Sequence, residues 1–340
     1  MAGLSTTRPS EIVLAARVAR EFYLEGISKV DIADRLGISR FRVARLLDAA
    51  RASGMVRIEI ALPGGSLDAG LSAELCDAFG LNYAFAFDLP DHDEVALRHR
   101  VGEAAGQALM DIITPDDVLG LSWARSLSEL AASLTRMPPC PIVQMTGAVP
   151  PPGGRDLLEL VRSVARVGGG AAHVFYAPMI VDNAETAAAI RRQADVADAL
   201  ALVPSVTIAM VAIGAWAAGL STIYDACSPA ERAEIATLGV CGETAGVFLG
   251  QDGRPVPTAL DSRMIVTPGP ALAQIPCVIG VAYGVPRAAA VRAAIRGGLI
   301  KGLVTHTSLA RTLLGLALSS RGSSAACSAR PRPRSSAAGD

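Results

Sequence analysis

Two helix starts lie close together within residues 27–52. Ser28 and Ser39 each precede a run with helical periodicity, and serine is favoured at the N-cap because its hydroxyl accepts a hydrogen bond from a free helix amide. Asp31, three residues after Ser28, is placed so that its carboxylate can accept a hydrogen bond from the amide of Ser28. Gly37 supplies the left-handed conformation that ends a helix. This spacing predicts two short helices joined by a tight turn, a helix-turn-helix.

Arginines crowd the start of the second predicted helix. Arg40 and Arg42 fall in its first turn, where the helix dipole disfavours a cation by about 0.3 to 1 kcal/mol. The placement is useful if this end enters the major groove of DNA, because arginine pairs with guanine edges and phosphates. Residues 39–57 hold five arginines and one aspartate, a net charge of +4. A solvated basic face on a helical hairpin is the alternative. We expect DNA contacts from Lys29, Ser39, Arg40, Phe41, Arg42 and Arg45.

A strand-like segment and a linker follow the helix pair. Residues 55–60 alternate apolar and charged side chains, which predicts a strand or wing that completes a small all-α (winged) helix-turn-helix domain. The segment LPGGS at 62–66 is typical of a linker. We predict a DNA-binding domain over residues 1–60, a linker over 61–66, a larger domain over 67–318 and a disordered tail over 319–340.

Charge and cysteine usage restrict the class of protein. The 340 residues carry a formal net charge of -1, so the basic character is local and a general polyanion binder is excluded. The six cysteines are scattered without a CxxC pair, and the N-terminus lacks a signal-type apolar stretch, which favours a reduced cytoplasm. No Walker-type loop or metal-spaced cluster is visible in the sequence, so we expect neither a cofactor nor a metal.

One uncharged run, residues 199–220, is long enough to cross a bilayer, since about 20 apolar residues suffice. Pro204 and Ser205 interrupt the run, and residues 207–213 favour a strand. A buried parallel strand between two helical stretches therefore explains the run better than a membrane span.

Helical and strand-like stretches alternate beyond the linker. Helical periodicity covers residues 67–80 and 91–113. Apolar runs predict strands at 83–87, 118–122, 141–146, 172–176, 206–213, 277–283 and 302–305. The alternation is typical of βαβ units, so we predict a larger α/β doubly wound domain with a mostly parallel sheet. Ligands of such sheets bind in loops at the carboxyl ends of the strands.

Several of these loops carry polar residues. Ser126, with Glu129 three positions later, predicts a capped helix start whose amides, together with Arg125, are suited to a phosphate. Arg287 is predicted at another helix start.

Two further loops contain single ionisable groups. Glu243 is the only acid in the glycine-rich segment 239–246, which predicts a turn, and a hairpin-like stretch follows at 250–263. His306 lies at the end of the last predicted strand, where a lone histidine is more often a hydrogen-bonded cap than a catalyst.

Taken together, these segments resemble the SorC-type sugar-binding transcriptional regulators from about residue 11 to residue 316. The resemblance is carried by the helix pair IADRLGISRFRVARLLDAAR, by the segments GLSWARSL, PIVQMTGAV, MVAIGAW, GETAGVFLGQDGRPV and LDSR, and by the region from PCVIGVAYGVPRAAAVRAAI to THTSLARTLL. It implies a helix-turn-helix joined to an effector domain similar to sugar-phosphate isomerases. It also implies a phosphorylated sugar or polyol effector, operator DNA as partner, a homodimer or homotetramer, and control of a carbohydrate or polyol catabolic operon.

The resemblance implies a set of effector-binding residues and no catalytic ones. Ala124 stands where the family's phosphate turn usually has glycine, Glu243 and His306 stand where it usually has aspartate, and Arg287 replaces a lysine. These departures suggest an unusual effector. The implied set is Gly120, Ser122, Trp123, Arg125, Ser126, Gly147, Glu243, Arg263, Gly284, Arg287 and His306.

Two alternatives stay open beside a ligand-controlled regulator. The departures at Ala124 and His306 are compatible with a DNA-bound protein whose effector cleft is defunct. The second alternative is an isomerase-like enzyme, with Glu243 as base and His306 as acid. Some relatives hold their ligand through a lysine Schiff base, but Lys301 is the only lysine outside the predicted DNA-binding helices.

Overall fold

The computed structural model describes residues 9–53, 55–56, 65–149 and 159–315. The chain separates into two compact units, Met1–Ala61 and Leu62–Asp340. The strand predicted at 55–60 and the linker at 61–66 lie mostly outside the described residues, and the predicted tail lies wholly outside them.

The described part of the smaller unit is helical. It contains α1 (Pro9–Tyr23), α2 (Lys29–Leu36) and α3 (Arg40–Ala52). The sequence predicted α2 and α3, whereas α1 was not predicted. The three helices surround one apolar cluster whose fully buried members are Val18, Ile32, Val43, Leu47 and Ala50.

The caps predicted for α2 and α3 are confirmed. The hydroxyl groups of Ser28 and Ser39 accept hydrogen bonds from the amides of Asp31 and Arg42, both at 3.2 Å. Gly37 ends α2 with φ of 63°, in the left-handed region. One detail of the predicted cap is wrong: the Asp31 carboxylate accepts a 2.7 Å hydrogen bond from the Ser28 hydroxyl and not from the Ser28 amide. Local chemistry thus bounds both helices.

The larger unit alternates strands and helices. Its first half contains β1 (Ser66–Leu67), α4 (Ala69–Phe79), β2 (Tyr83–Asp88), α5 (Glu94–Ile112), β3 (Leu119–Leu121), α6 (Arg125–Ser133), β4 (Ile142–Gln144), α7 (Glu159–Gly168) and β5 (Ala172–His173). Its second half contains α8 (Ala184–Arg191), α9 (Ala194–Ala201), β6 (Ile208–Ala215), α10 (Thr222–Ala226), α11 (Pro229–Thr237), β7 (Val240–Thr244), β8 (Val247–Gly250), α12 (Gly269–Gln274), β9 (Cys277–Val281), α13 (Ala288–Arg296) and β10 (Gly302–His306). Residues 307–315 are helical.

One sheet organises this unit, in the order β1, β2, β10, β9, β6, β3, β4, β5. Every pair in this order is parallel except β1 with β2. The prediction of a doubly wound, mostly parallel α/β domain is therefore confirmed.

Helices cover both faces of the sheet, and β6 shows why its sequence is apolar throughout. Ala209 and Val211 belong to an apolar cluster with α4 and α13, whereas Ile208 and Met210 belong to a second cluster with α5, α6 and α7. A strand buried on both faces needs apolar residues at every position. This strand accounts for the uncharged run at 199–220, and no helix among the described residues is long and apolar enough to cross a membrane.

The larger unit shows further differences from the sequence prediction. Ser66, assigned to the linker, begins β1. The helix predicted from residue 91 begins at Glu94, because the side chain of Asp93 accepts hydrogen bonds from the amides of Val95 and Ala96 and caps it. The segment 239–246, predicted as one glycine-rich turn, forms strand β7 and the turn that leads into β8; β7 pairs antiparallel with β8 and with the end of β6.

Candidate functional site

A cleft opens to solvent in the larger unit. Its walls come from the carboxyl ends of β3, β6 and β9 and from the loops that follow them, where parallel sheets bind ligands. Six of the eleven predicted effector residues line it, namely Ser122, Trp123, Arg125, Ser126, Glu243 and Arg287. Gly120, Gly147, Arg263, Gly284 and His306 are not in its wall.

The start of α6 forms one wall of the cleft. Ala124 is the N-cap of this helix, in extended conformation, and it provides no side-chain hydrogen bond. The first bond of the helix joins the Ser128 amide to the Ala124 carbonyl at 3.1 Å. By helix geometry the three amides before Ser128 have no partner within α6. The wall therefore presents backbone N–H groups and the positive end of a helix dipole.

The capping box predicted at Ser126 is wrong. Ser126 lies inside α6 and is buried, and the Glu129 carboxylate is bound to His99 Nδ1 of α5 at 2.9 Å. Packing between α5 and α6 thus takes the acid that local spacing assigned to the cap. No side chain caps the amides at the start of α6, so these amides are available to a ligand in the cleft.

The turn before α6 is fixed by hydrogen bonds that its own amides donate. The Trp123 amide donates to Thr146 Oγ1 at 2.8 Å, and the Ser122 amide donates to the Met210 carbonyl at 3.2 Å. Gly120 serves packing, since a Cβ there would collide with the Met145 side chain.

Arg125 is the more exposed cation of the cleft. Its side chain is 34% exposed and contacts the Gly219 carbonyl at 3.4 Å and the Asp225 carboxylate at 3.9 Å. Both contacts are long, so the guanidinium is held loosely and can turn toward an anion at the start of α6.

Glu243 provides the carboxyl group of the cleft. It lies in β7 rather than in a turn, and Ser221 Oγ donates to its Oε1 at 2.9 Å. Burial raises the pKa of Glu243 to about 7, while hydrogen bonds from Ser221 and the Gly246 amide and the charge of Arg287 oppose the rise. A Cβ at Gly214 would collide with this carboxyl group. Glu243 is thus a buried group that can gain or lose a proton near neutral pH.

Sequence reasoning missed Ser221. It is the N-cap of α10, and its hydroxyl accepts a hydrogen bond from the Tyr224 amide at 3.1 Å. A serine before a short helical stretch was the available signal, but its contact with Glu243 depends on the pairing of β6 with β7.

Arg287 is buried and holds neighbouring segments together through hydrogen bonds. Its guanidinium donates to the carbonyl groups of Tyr283 at 2.7 Å and Leu220 at 3.2 Å and to the Glu94 carboxylate at 3.1 Å. The residue is buried, whereas Glu94 is half exposed. Arg287 therefore fixes the loop after β6 against the loop after β9. Its predicted contact with a phosphate stays a prediction.

His306 and Arg263 have partners away from the cleft. His306 is fully buried, its Nε2 accepts the Gly284 amide at 3.0 Å, and burial lowers its pKa against the opposing charge of Asp91. Arg263 donates to Glu231 Oε1 at 2.5 Å. The pKa of Glu231 is lowered to about 2, mainly by hydrogen bonds with the backbone and the side chain of Ser228 and next by the hydrogen bond from Arg263. Glu243 and His306 therefore do not share the cleft wall as an acid–base pair would require.

Gly147, like Gly120, serves packing, since a Cβ at Gly147 would collide with the Pro178 backbone. Among the described residues, no group of three His, Cys, Asp or Glu side chains is placed to hold a metal ion.

The predicted DNA-binding residues occupy the outer side of the helix pair. Arg40, Phe41, Arg42 and Arg45 are exposed on α3. Phe41 is 86% exposed. Arg42 is 3.9 Å from Glu11 of α1, and Lys29 lies over the Phe22 ring at 5.4 Å. Their contact with DNA stays a prediction.

The family Sugar-bind, described as "Putative sugar-binding domain", matches residues 66–315. The transcriptional regulator LsrR of Klebsiella pneumoniae is 33% identical over 91% of this chain and 94% of its own length. LsrR of an Enterobacter species is 32% identical over 93% of this chain and 96% of its own length. The crystal structure of the full-length sorbitol operon regulator SorC from Klebsiella pneumoniae covers 90% of this chain and 99% of its own, with a TM-score of 0.65 at 24% identity, a similarity of fold.

Proposed function

Because the chain belongs to the SorC-type sugar-binding transcriptional regulators, we propose that a phosphorylated sugar or polyol binds in the cleft of its larger unit and changes its affinity for operator DNA. The chain is a transcriptional regulator with a sugar-binding domain. The phosphorylated effector and control of a carbohydrate or polyol catabolic operon are the proposed part.

The start of α6 carries this proposal. Free amides and a helix dipole favour an anion, and a phosphate accepts several N–H donors at once. Arg125 stands beside these amides with long, weak contacts to Gly219 and Asp225. A phosphate at this wall would replace those contacts with a charge-assisted hydrogen bond, which is roughly twice as strong as a neutral one.

Glu243 and Ser221 supply the complement for the rest of the ligand. A carboxylate oxygen accepts hydrogen bonds from sugar hydroxyl groups, and a serine hydroxyl both donates and accepts. Both residues line the same cleft as the start of α6. A ligand with a phosphate at one end and hydroxyl groups along its chain fits this arrangement better than an apolar ligand.

The part of the chain that would bind DNA is the exposed start of α3. We place this helix in the major groove, with the chain assembled as a homodimer or homotetramer on a near-palindromic operator. The effector would act by stabilising one arrangement of subunits over another, and the coupling energy of such systems is typically 1 to 3 kcal/mol.

The test is a DNA-binding titration on the chain's own upstream DNA. Sugar phosphates and polyol phosphates are each compared with the same compound lacking phosphate. We expect at least one phosphorylated compound to change the apparent Kd for DNA by about 5- to 150-fold, with little effect of its unphosphorylated form. A lack of response to every compound would favour a regulator with a defunct cleft.

A further inference from the structure

Phe41 is a large apolar side chain placed where it does not help the smaller unit to fold. It is the second residue of α3 and is 86% exposed. The apolar cluster of the unit takes Val43, Leu47 and Ala50 from the same helix. At 3.6 residues per turn, Phe41 lies nearly opposite these three residues. Its ring therefore points away from the core.

The surroundings of Phe41 are cationic. Arg40 and Arg42 flank it, and Arg45 follows one turn later on the same side of the helix. The first turn of α3 contains no acidic residue. Arg42 is 3.9 Å from Glu11 of α1, whereas Arg40 and Arg45 have no such ion pair with any residue that the structure describes. The result is an apolar centre with a positive border.

We propose that Phe41 reads the 5-methyl group of thymine in the operator. The major groove presents hydrogen-bonding edges on every base pair, but its apolar feature is the thymine methyl group. A phenyl ring has no hydrogen-bonding group, so this methyl is the feature that it can recognise. The flanking arginines would bind guanine edges or phosphates on either side.

Charge argues against a second copy of the chain as the occupant of this surface. Two such surfaces would bring Arg40 and Arg45 of each copy together, and like charges at close range repel. A DNA groove carries the opposite charge. The inference rests on the DNA-binding role of the chain and is independent of the proposed effector.

The test uses the chain's upstream DNA made either with thymine or with uracil, which lacks only the methyl group. Fluorescence anisotropy without any effector gives the ratio of the two Kd values for the full chain. We expect wild-type protein to bind uracil DNA about fourfold more weakly for each methyl group that Phe41 contacts, from the transfer free energy of one buried carbon. Phe41→Ala should bind thymine DNA more weakly and lose the difference between the two DNAs.

Three variants serve as controls. Leu24→Ala removes an 81% exposed apolar side chain of the same unit outside α3 and should keep the wild-type ratio. Arg45→Ala should weaken binding to both DNAs and keep the ratio. Phe41→Leu, which keeps an apolar side chain, should retain part of the difference in affinity between the two DNAs.

Equal affinity of wild-type protein for both DNAs would overturn the proposal, and so would a wild-type ratio in Phe41→Ala. A changed molecular mass of Phe41→Ala with an unchanged ratio would assign the ring to a contact between copies. If the thymine proposal is wrong, the response of the protein to its effector is unaffected. If the effector proposal is wrong, the preference for thymine DNA is unaffected. The two experiments therefore distinguish the two proposals.

Discussion

Ser221 and Glu243 join the start of α10 to strand β7 through one hydrogen bond, from Ser221 Oγ to Glu243 Oε1 at 2.9 Å. Ser221 is the N-cap of α10, whereas Glu243 belongs to β7. The protonation state of the carboxyl group is therefore coupled to the position of the helix start. A ligand hydroxyl that binds Glu243 would act on both elements.

Glu243 should make the stability of the larger unit depend on pH. Its pKa is raised to about 7, above an unfolded value of about 4.3, so its stabilising contribution is full below pH 4 and lost as pH rises through 7. Glu243→Gln should reduce the fall in unfolding free energy between pH 5 and pH 8 by about 2 to 3 kcal/mol. Urea denaturation at both pH values measures it. Asp252→Asn, which changes an exposed carboxylate, is the control. A wild-type pH dependence in Glu243→Gln would refute the prediction.

Arg125 should be needed for the effector and not for DNA. Arg125→Ala removes a charged donor beside the start of α6, and hydrogen bonds to charged groups contribute about 1.5 to 3 kcal/mol. We expect the effector concentration for half-maximal response to rise about 10- to 150-fold, with unchanged DNA affinity. Arg254→Ala, whose side chain is 88% exposed and outside the cleft, is the matched control. An equal loss in both variants would contradict a specific role.

Arg287 should be needed for stability. Arg287→Ala leaves the buried Tyr283 carbonyl and the part-buried Leu220 carbonyl without their donor, and a buried acceptor left unsatisfied costs about 1 to 3 kcal/mol, so we expect a loss of about this size in unfolding free energy. Arg287→Lys keeps the charge without the planar fork and should recover only part of it. Chemical denaturation measures both, with Arg311→Ala at an exposed position as control. Wild-type stability with a lost effector response would instead make Arg287 a ligand-binding residue.

Arg40 should contribute to sequence discrimination. Arg40→Ala removes a side chain suited to pair with a guanine edge, so we expect the ratio of operator to scrambled DNA affinity to fall about 5- to 150-fold. Competition binding measures the ratio. Arg51→Ala, at the other end of α3 and paired with Asp48 at 2.9 Å, should change it little. Unchanged discrimination in Arg40→Ala would contradict the groove assignment.

Local chemistry explains which parts of the fold were predictable from sequence. Ser28, Gly37 and Ser39 bound their helices through contacts within four residues, so the helix pair could be read directly. The buried strand β6 could be read from apolar residues on both faces. Strand order could not, because it depends on pairings between distant segments.

The cleft was predictable only in outline for the same reason. Glu129 was assigned to a cap, but packing of α5 on α6 brings it to His99. Glu243 was assigned to a turn, but its neighbours Ala245 and Gly246, with φ of 49° and 87°, make the turn, and Glu243 pairs within the hairpin. The enzyme alternative required His306 to act with Glu243, but β9 separates β10, which ends at His306, from β6. Each difference is a tertiary contact that spacing does not encode.

The most direct test of the central claim is one titration on labelled upstream DNA. Wild-type protein, Arg125→Ala and Arg254→Ala are each titrated with a phosphorylated sugar or polyol that binds the wild type and with its unphosphorylated form. We predict that the phosphorylated compound changes DNA affinity about 5- to 150-fold in wild type and Arg254→Ala and has little effect in Arg125→Ala. An undiminished response in Arg125→Ala, or an equal response to the unphosphorylated form, would contradict a phosphate site at the start of α6.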